Sequence, residues 1–123
     1  PYYGAPAGAR LTELLKEHIS IAGELVAAAK ANDSAKLKDA DGRWHQNAEG
    51  IATFLSGANP NWKRADLQHM LNEHLALTTT EATLRLQKKW SEDVANFDKI
   101  FDQAMTMADA LADGVIRQFA ARF

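Results

Sequence analysis

The chain has 123 residues, with 14 Lys+Arg against 16 Asp+Glu for a formal charge of −2, and 46% of it is hydrophobic. That is the size and balance of one globular domain, with no concentrated positive face for nucleic acid and no run approaching the ~20 apolar residues of a membrane helix. There is no cysteine, which excludes a disulfide framework, Cys-ligated zinc, a thiol nucleophile and thioether-attached haem.

The opening segment, Pro1-Tyr2-Tyr3-Gly4-Ala5-Pro6-Ala7-Gly8, reads as a turn-rich, irregular arm over residues 1–8. It lacks a Met, and its small residues suit the downstream side of a cleaved secretory signal, so a periplasmic or secreted setting is expected, with the cytoplasm as the alternative. A first helix is predicted over 9–31, where Leu11, Leu14, Leu15, Ala22, Leu25, Val26 and Ala29 form one stripe. Asn32-Asp33-Ser34 breaks it and offers Asp33 or Ser34 as the next N-cap. A second helix follows over 35–56, with Leu37, Ala40, Trp44, Ala48, Ile51 and Leu55 on one face. The loop at 57–62 leads to a third helix over 64–87, and a fourth spans 91–121. The break between these last two contains no Gly or Pro; Ser91 followed by Glu92 and Asp93 supplies a capping residue and an acidic first turn. No strand alternation, repeat or low-complexity tract is visible. Short connections between helices of similar length predict an all-α, single-domain, up-down-up-down four-helix bundle over 9–123.

Several motifs carry a resemblance: Glu17-His18, Ala58-Asn59-Pro60-Asn61-Trp62, His74-Leu75-Ala76-Leu77-Thr78, and Met107-Ala108-Asp109 with Gly114-Val115-Ile116-Arg117-Gln118-Phe119. With these the chain resembles a family of short all-helical bacterial proteins without an assigned role. Some members are labelled glycosyltransferases. The resemblance implies a helical fold and no particular activity, and the sequence has no βα units to house a nucleotide sugar.

A helical wheel places His18 in the middle of the first helix's apolar stripe, and His74, Thr78 and Glu81 in a column flanked by leucines on the third. His18 and His74 are expected to be buried and His69 to point outward. Counting from the loops puts His18, Asn47 or Ala48, His74 and Asp102 or Gln103 in one layer of the bundle. Asp98 is expected to be the most inward acid of the fourth helix, and Phe97 and Phe101 to be core. Neutral imidazole is a good ligand for zinc, copper, nickel or iron. The candidate metal set is therefore His18, His74, Glu81 and Asp98, with Asn47 and Thr78 orienting the ligands. Haem gripped by the two histidines is a further alternative, and a polar layer that only fixes helix register, in a bundle that binds a protein partner through an outer face, is another. No Glu stands three residues before a His as di-iron bundles require, and Asp66-x-x-His69 faces outward. His-Glu-x-x-His, Gly-x-Ser-x-Gly and the phosphate-loop pattern are absent, so a binding protein is expected and not an enzyme.

Overall fold

The structure, a computed structural model, describes residues 2–123; Pro1 of the expected arm lies outside them. Four antiparallel α-helices, α1 (Gly4–Lys30), α2 (Ser34–Ala58), α3 (Arg64–Leu86) and α4 (Trp90–Gln118), form a helical bundle, and a 3₁₀ turn at Ala120–Arg122 ends the chain. The expected arm is shorter than the sequence implies, because residues 4–8 already belong to α1. Pro6 falls in the first turn, where a helix has no acceptor for its N–H groups in any case. Gly4 opens the helix at φ +81°, a conformation that a side chain would disfavour.

The core comes from three helices and a loop. Leu14, Ile21 and Leu25 of α1, Ala40, Trp44, Ala48, Ile51 and Ala52 of α2, and Leu67, Leu71 and Leu75 of α3 form one core cluster with the buried Trp62. In contrast, the buried side chains of α4 are polar, with Asp93, Asn96 and Gln103 pointing at α3; only toward its C-terminal end, where Gly114 is buried, do Met107, Leu111 and Val115 pack, partly buried, against the core. The three polar side chains bind α3 through Arg85 Nε (3.0 Å), the Leu77 carbonyl (3.1 Å) and the Met70 carbonyl (2.9 Å). Once those three groups face inward, the apolar stripe along the first half of α4 must face outward. Trp90, Val94, Phe97, Phe101 and Met105 are consequently exposed. Phe97 and Phe101 are therefore surface residues and not core, and Asp98 is exposed as well.

The two halves of the chain repeat one another. The turn within each hairpin, α1–α2 and α3–α4, places a residue in the left-handed region, Asn32 at φ 54° and Lys88 at φ 59°. Their main-chain bonds match pair by pair: Asn32 N to Ala29 O and Asp33 N to Ala28 O in the first turn, Lys88 N to Arg85 O and Lys89 N to Leu84 O in the second. Each residue of one turn lies 56 positions before its counterpart (88 − 32 = 56). At the same offset, Leu11-x-x-Leu14-Leu15-x-Glu17-His18 matches Leu67-x-x-Met70-Leu71-x-Glu73-His74. The chain is thus a duplicated helical hairpin, a repeat too sparse to catch the eye in the sequence.

The duplication is not carried through to the packing. α1 packs on α2, α2 on α3 and α3 on α4, and α1 also touches α3 across the diagonal. No Cα of α1 lies within 8 Å of one of α4. The α2/α3 seam is closed, while its counterpart between α4 and α1 is open along most of its length. Only the end near the chain termini is tied across. Asn59 Nδ2 donates to the Tyr3 hydroxyl, which donates to Gln118 Oε1, and Gln118 Nε2 donates to the Ala58 carbonyl. Trp62 seals this end, as its position in the short loop predicts, and its indole N–H donates to the Ala110 carbonyl at 3.2 Å.

Candidate functional site: two imidazoles fixed by two carboxamides

His18 from α1 and His74 from α3 meet near mid-height, with ring centroids 6.5 Å apart and planes inclined by 27°. Their place follows from the repeat. Each histidine sits seven residues after the first leucine of its motif, so both turn to the inner side of their helices. The diagonal contact of α1 with α3 then brings the two rings beside each other.

Each imidazole is oriented by an amide from the second helix of its own hairpin. His18 Nδ1 lies 2.8 Å from Asn47 Oδ1, and His74 Nδ1 lies 3.3 Å from Gln103 Oε1. The amides are themselves fixed, because Asn47 Nδ2 donates to the Leu14 carbonyl and Gln103 Nε2 to the Met70 carbonyl. Those carbonyls lie one turn before the respective histidines. With its N–H₂ committed, each amide presents only an oxygen to the ring, and an oxygen of this kind only accepts. Both histidines must therefore carry their proton on Nδ1, which leaves the Nε2 lone pairs free. Asn47 Nδ2 also donates to Glu17 Oε2 at 3.1 Å.

Electrostatics favour the neutral ring at His18. Burial holds its pKa below the usual histidine value, the Asn47 hydrogen bond pulls the other way, and the charge that His74 can carry lowers it further. Trp44 stands beside His18 with ring centroids 5.3 Å apart. Its indole N–H is buried and finds no acceptor among the protein's own groups.

The expected site residues separate. Asn47 orients His18, and Gln103, at the level assigned to it by counting from the loop, orients His74. Thr78 serves neither ring; its hydroxyl donates to the His74 carbonyl at 2.8 Å, a backbone bond internal to α3. Glu81 lies two turns beyond His74 and faces Arg85 Nη2 at 3.5 Å. Asp98 points to solvent, since the inner face of α4 is taken by Asp93, Asn96 and Gln103. Among the described residues no three His, Asp or Glu side chains come together as a metal-holding group. The two histidines are half-buried where full burial is expected from the wheel, because the α1/α4 side is open, while His69 is exposed. The pairing of each histidine with an amide 29 residues later is present in the sequence as two equal separations, His18 to Asn47 and His74 to Gln103.

Comparison with known proteins adds nothing to this geometry: no family model, no curated protein and no solved structure matches the chain.

Proposed function

We propose that this is a non-catalytic binding bundle that takes up a divalent transition-metal ion between the Nε2 atoms of His18 and His74. Glu81 and Asp98 have no part in it. The remaining positions on the ion are filled by water or by a small ligand reaching it from the open α1/α4 side.

The observation that supports this reading is the pair of fixed tautomers. Metal-bound histidines almost always donate their other ring N–H to an oxygen, which fixes the ring and raises its basicity. Here two such devices stand in one layer of the bundle, with ring centroids 6.5 Å apart, and an ion shared by them would lie about 2.0–2.1 Å from each Nε2. The unpartnered indole N–H of Trp44 supplies a donor for an oxygen carried on such an ion. A polar layer that only fixed register would need no second imidazole with its Nδ1 fixed and its Nε2 free in the same layer.

Calorimetric titration of the chain with zinc, copper and nickel tests the proposal. One ion per chain is expected. His18→Ala and His74→Ala should each abolish the heat, and His69→Ala should leave it unchanged. Failure of all three ions to bind, or binding that survives either inner substitution, would remove the metal reading.

A further inference from the structure

The outward faces of α1 and α4 each carry an exposed apolar stripe, and the two flank the open seam. Tyr3 is bonded to Gln118 and His18 stands beside the His74–Gln103 pair, so a residue of α1 and one of α4 share a level when their numbers add to about 121. Ile19 is therefore level with Phe101, Leu15 with Met105, and Val26 with Val94. All six are exposed, Ile19 to 72% and Val94 to 64%. On α4 the residues follow one another at spacings of four and three, the period of a seam that packs against another helix.

We infer that a second copy of this chain covers this surface, related by a two-fold axis that sets α1 of each copy against α4 of the other. The first argument is area. With Trp90 and Phe97 at its margin, the patch exposes on the order of 800 Å² of apolar side chain, beyond the largest patch of an ordinary monomer and equal to one partner's share of a stable interface. Charge decides the pairing. The free margin of the α4 stripe carries the exposed Asp98, Asp102 and Asp109, whereas the margin of the α1 stripe carries the exposed Lys16 and Lys30. Setting α4 against α4 would oppose like charges; setting α1 against α4 matches them. Direction is the last argument. The side chains of Ile19, Val26, Phe101 and Met105 lie on the outer flanks of their helices, so closing α1 onto α4 within one chain would bury the inner flanks and leave these four outside.

The absence of native cysteine makes a cross-linking test clean. Sedimentation equilibrium at micromolar concentration should give twice the 13.5 kDa chain mass. A mixture of Ile19→Cys and Phe101→Cys chains should oxidise to a covalent pair containing one of each, while the chain carrying both substitutions should link between molecules. Phe101→Glu and Ile19→Glu should each weaken the dimer by roughly thirtyfold or more with the helical circular dichroism unchanged. A monomeric native chain would overturn the inference, as would a disulfide formed within one chain, which would show that α1 and α4 close on each other. A dimer that survives both Glu substitutions would place the contact elsewhere. The mass and the cross-link stand even if a Glu variant fails to fold.

Discussion

Asn47 and Gln103 occupy the same position in the two hairpins and perform the same two tasks. Each amide oxygen faces the Nδ1 of a histidine 29 residues earlier, and each amide nitrogen donates to a carbonyl 33 residues earlier. One extra methylene distinguishes them, and the longer side chain makes the longer contact to its histidine, 3.3 Å against 2.8 Å. The amides thereby tie α1 to α2 and α3 to α4, and fix which ring nitrogen of each histidine is bare.

Replacing Asn47 with Leu should separate these roles. It strands the His18 Nδ1–H and the Leu14 carbonyl, at a cost of about 1–3 kcal/mol in a urea titration. If the histidine pair holds a metal, the same change should also weaken binding about 10–100-fold, because His18 loses its orienting partner. Gln103→Leu should behave alike, with the smaller effect on stability given its longer bond. Equal stability of Asn47→Leu and the native chain would show that the amide is dispensable.

Acidity should weaken the fold through His18. Its folded-state pKa lies below the ordinary value of 6.5, chiefly from burial, so the unfolded chain binds the proton more readily than the folded one. The stability tied to the neutral ring is complete above pH 6.5 and is lost as the pH falls from there through the lower, folded value. Asp33, held below its usual 3.8 chiefly by the Lys36 backbone N–H, begins to act only below that value. The urea midpoint of the native chain should fall between pH 7 and pH 5, and that of His18→Gln should fall less. Parallel curves for the two proteins would contradict this.

The helices were legible where the apolar residues fall on the side that packs. Leu14 and Leu25 on α1 and Ala40, Trp44, Ala48 and Ile51 on α2 lie inside as their period implies, whereas Leu15 and Val26 of the expected α1 stripe are exposed and Ile21, outside that stripe, is buried. Counting residues from the loops was enough to bring His18, Asn47, His74 and Gln103 to one level, because the turn within each hairpin is short. The phase of α4 was not legible. Its strongest stripe is apolar and runs through Phe97 and Phe101, so a wheel turns that stripe inward; three side-chain hydrogen bonds to α3 instead hold the polar face there. That single rotation explains why Asp98 was assigned to the site. The α3–α4 turn was obscure for another reason: Lys88 adopts a left-handed conformation that Gly or Asn would have announced.

Gly114 should tolerate no side chain. A Cβ there would lie 1.8 Å from Trp62 Nε1 and 2.4 Å from its Cδ1. The indole cannot easily retreat, since it is buried and bonded to the Ala110 carbonyl. Gly114→Ala should therefore destabilise by about 1–3 kcal/mol, despite the gain in helix propensity that alanine brings. Trp62→Ala removes the clashing indole, so the double variant should lose less than the two single losses combined. Strict additivity in the thermodynamic cycle would show that Gly114 serves something other than this close approach.

Arg85 and Asp93 join the end of α3 to the start of α4, and the two partners should not be equally replaceable. The Arg85 side chain is 61% exposed and that of Asp93 only 5%. Two guanidinium nitrogens, Nε and Nη2, reach Asp93 Oδ2 at 3.0 and 2.9 Å, while Oδ1 is buried without a partner. Arg85→Met leaves the carboxylate facing protein with no cation, a loss of about 1–3 kcal/mol or more because the stranded group is charged. Asp93→Leu leaves the guanidinium free to turn to water or to Glu81, which already lies 3.5 Å away. It also installs the residue that the first hairpin uses at the equivalent place, Leu37, which packs against the core. Replacing a buried ionic group by a hydrophobic one of similar volume is often neutral, so Asp93→Leu should change the melting temperature little while Arg85→Met lowers it by several degrees. The opposite ranking would mean that the guanidinium, and not the buried carboxylate, is the group that needs its partner.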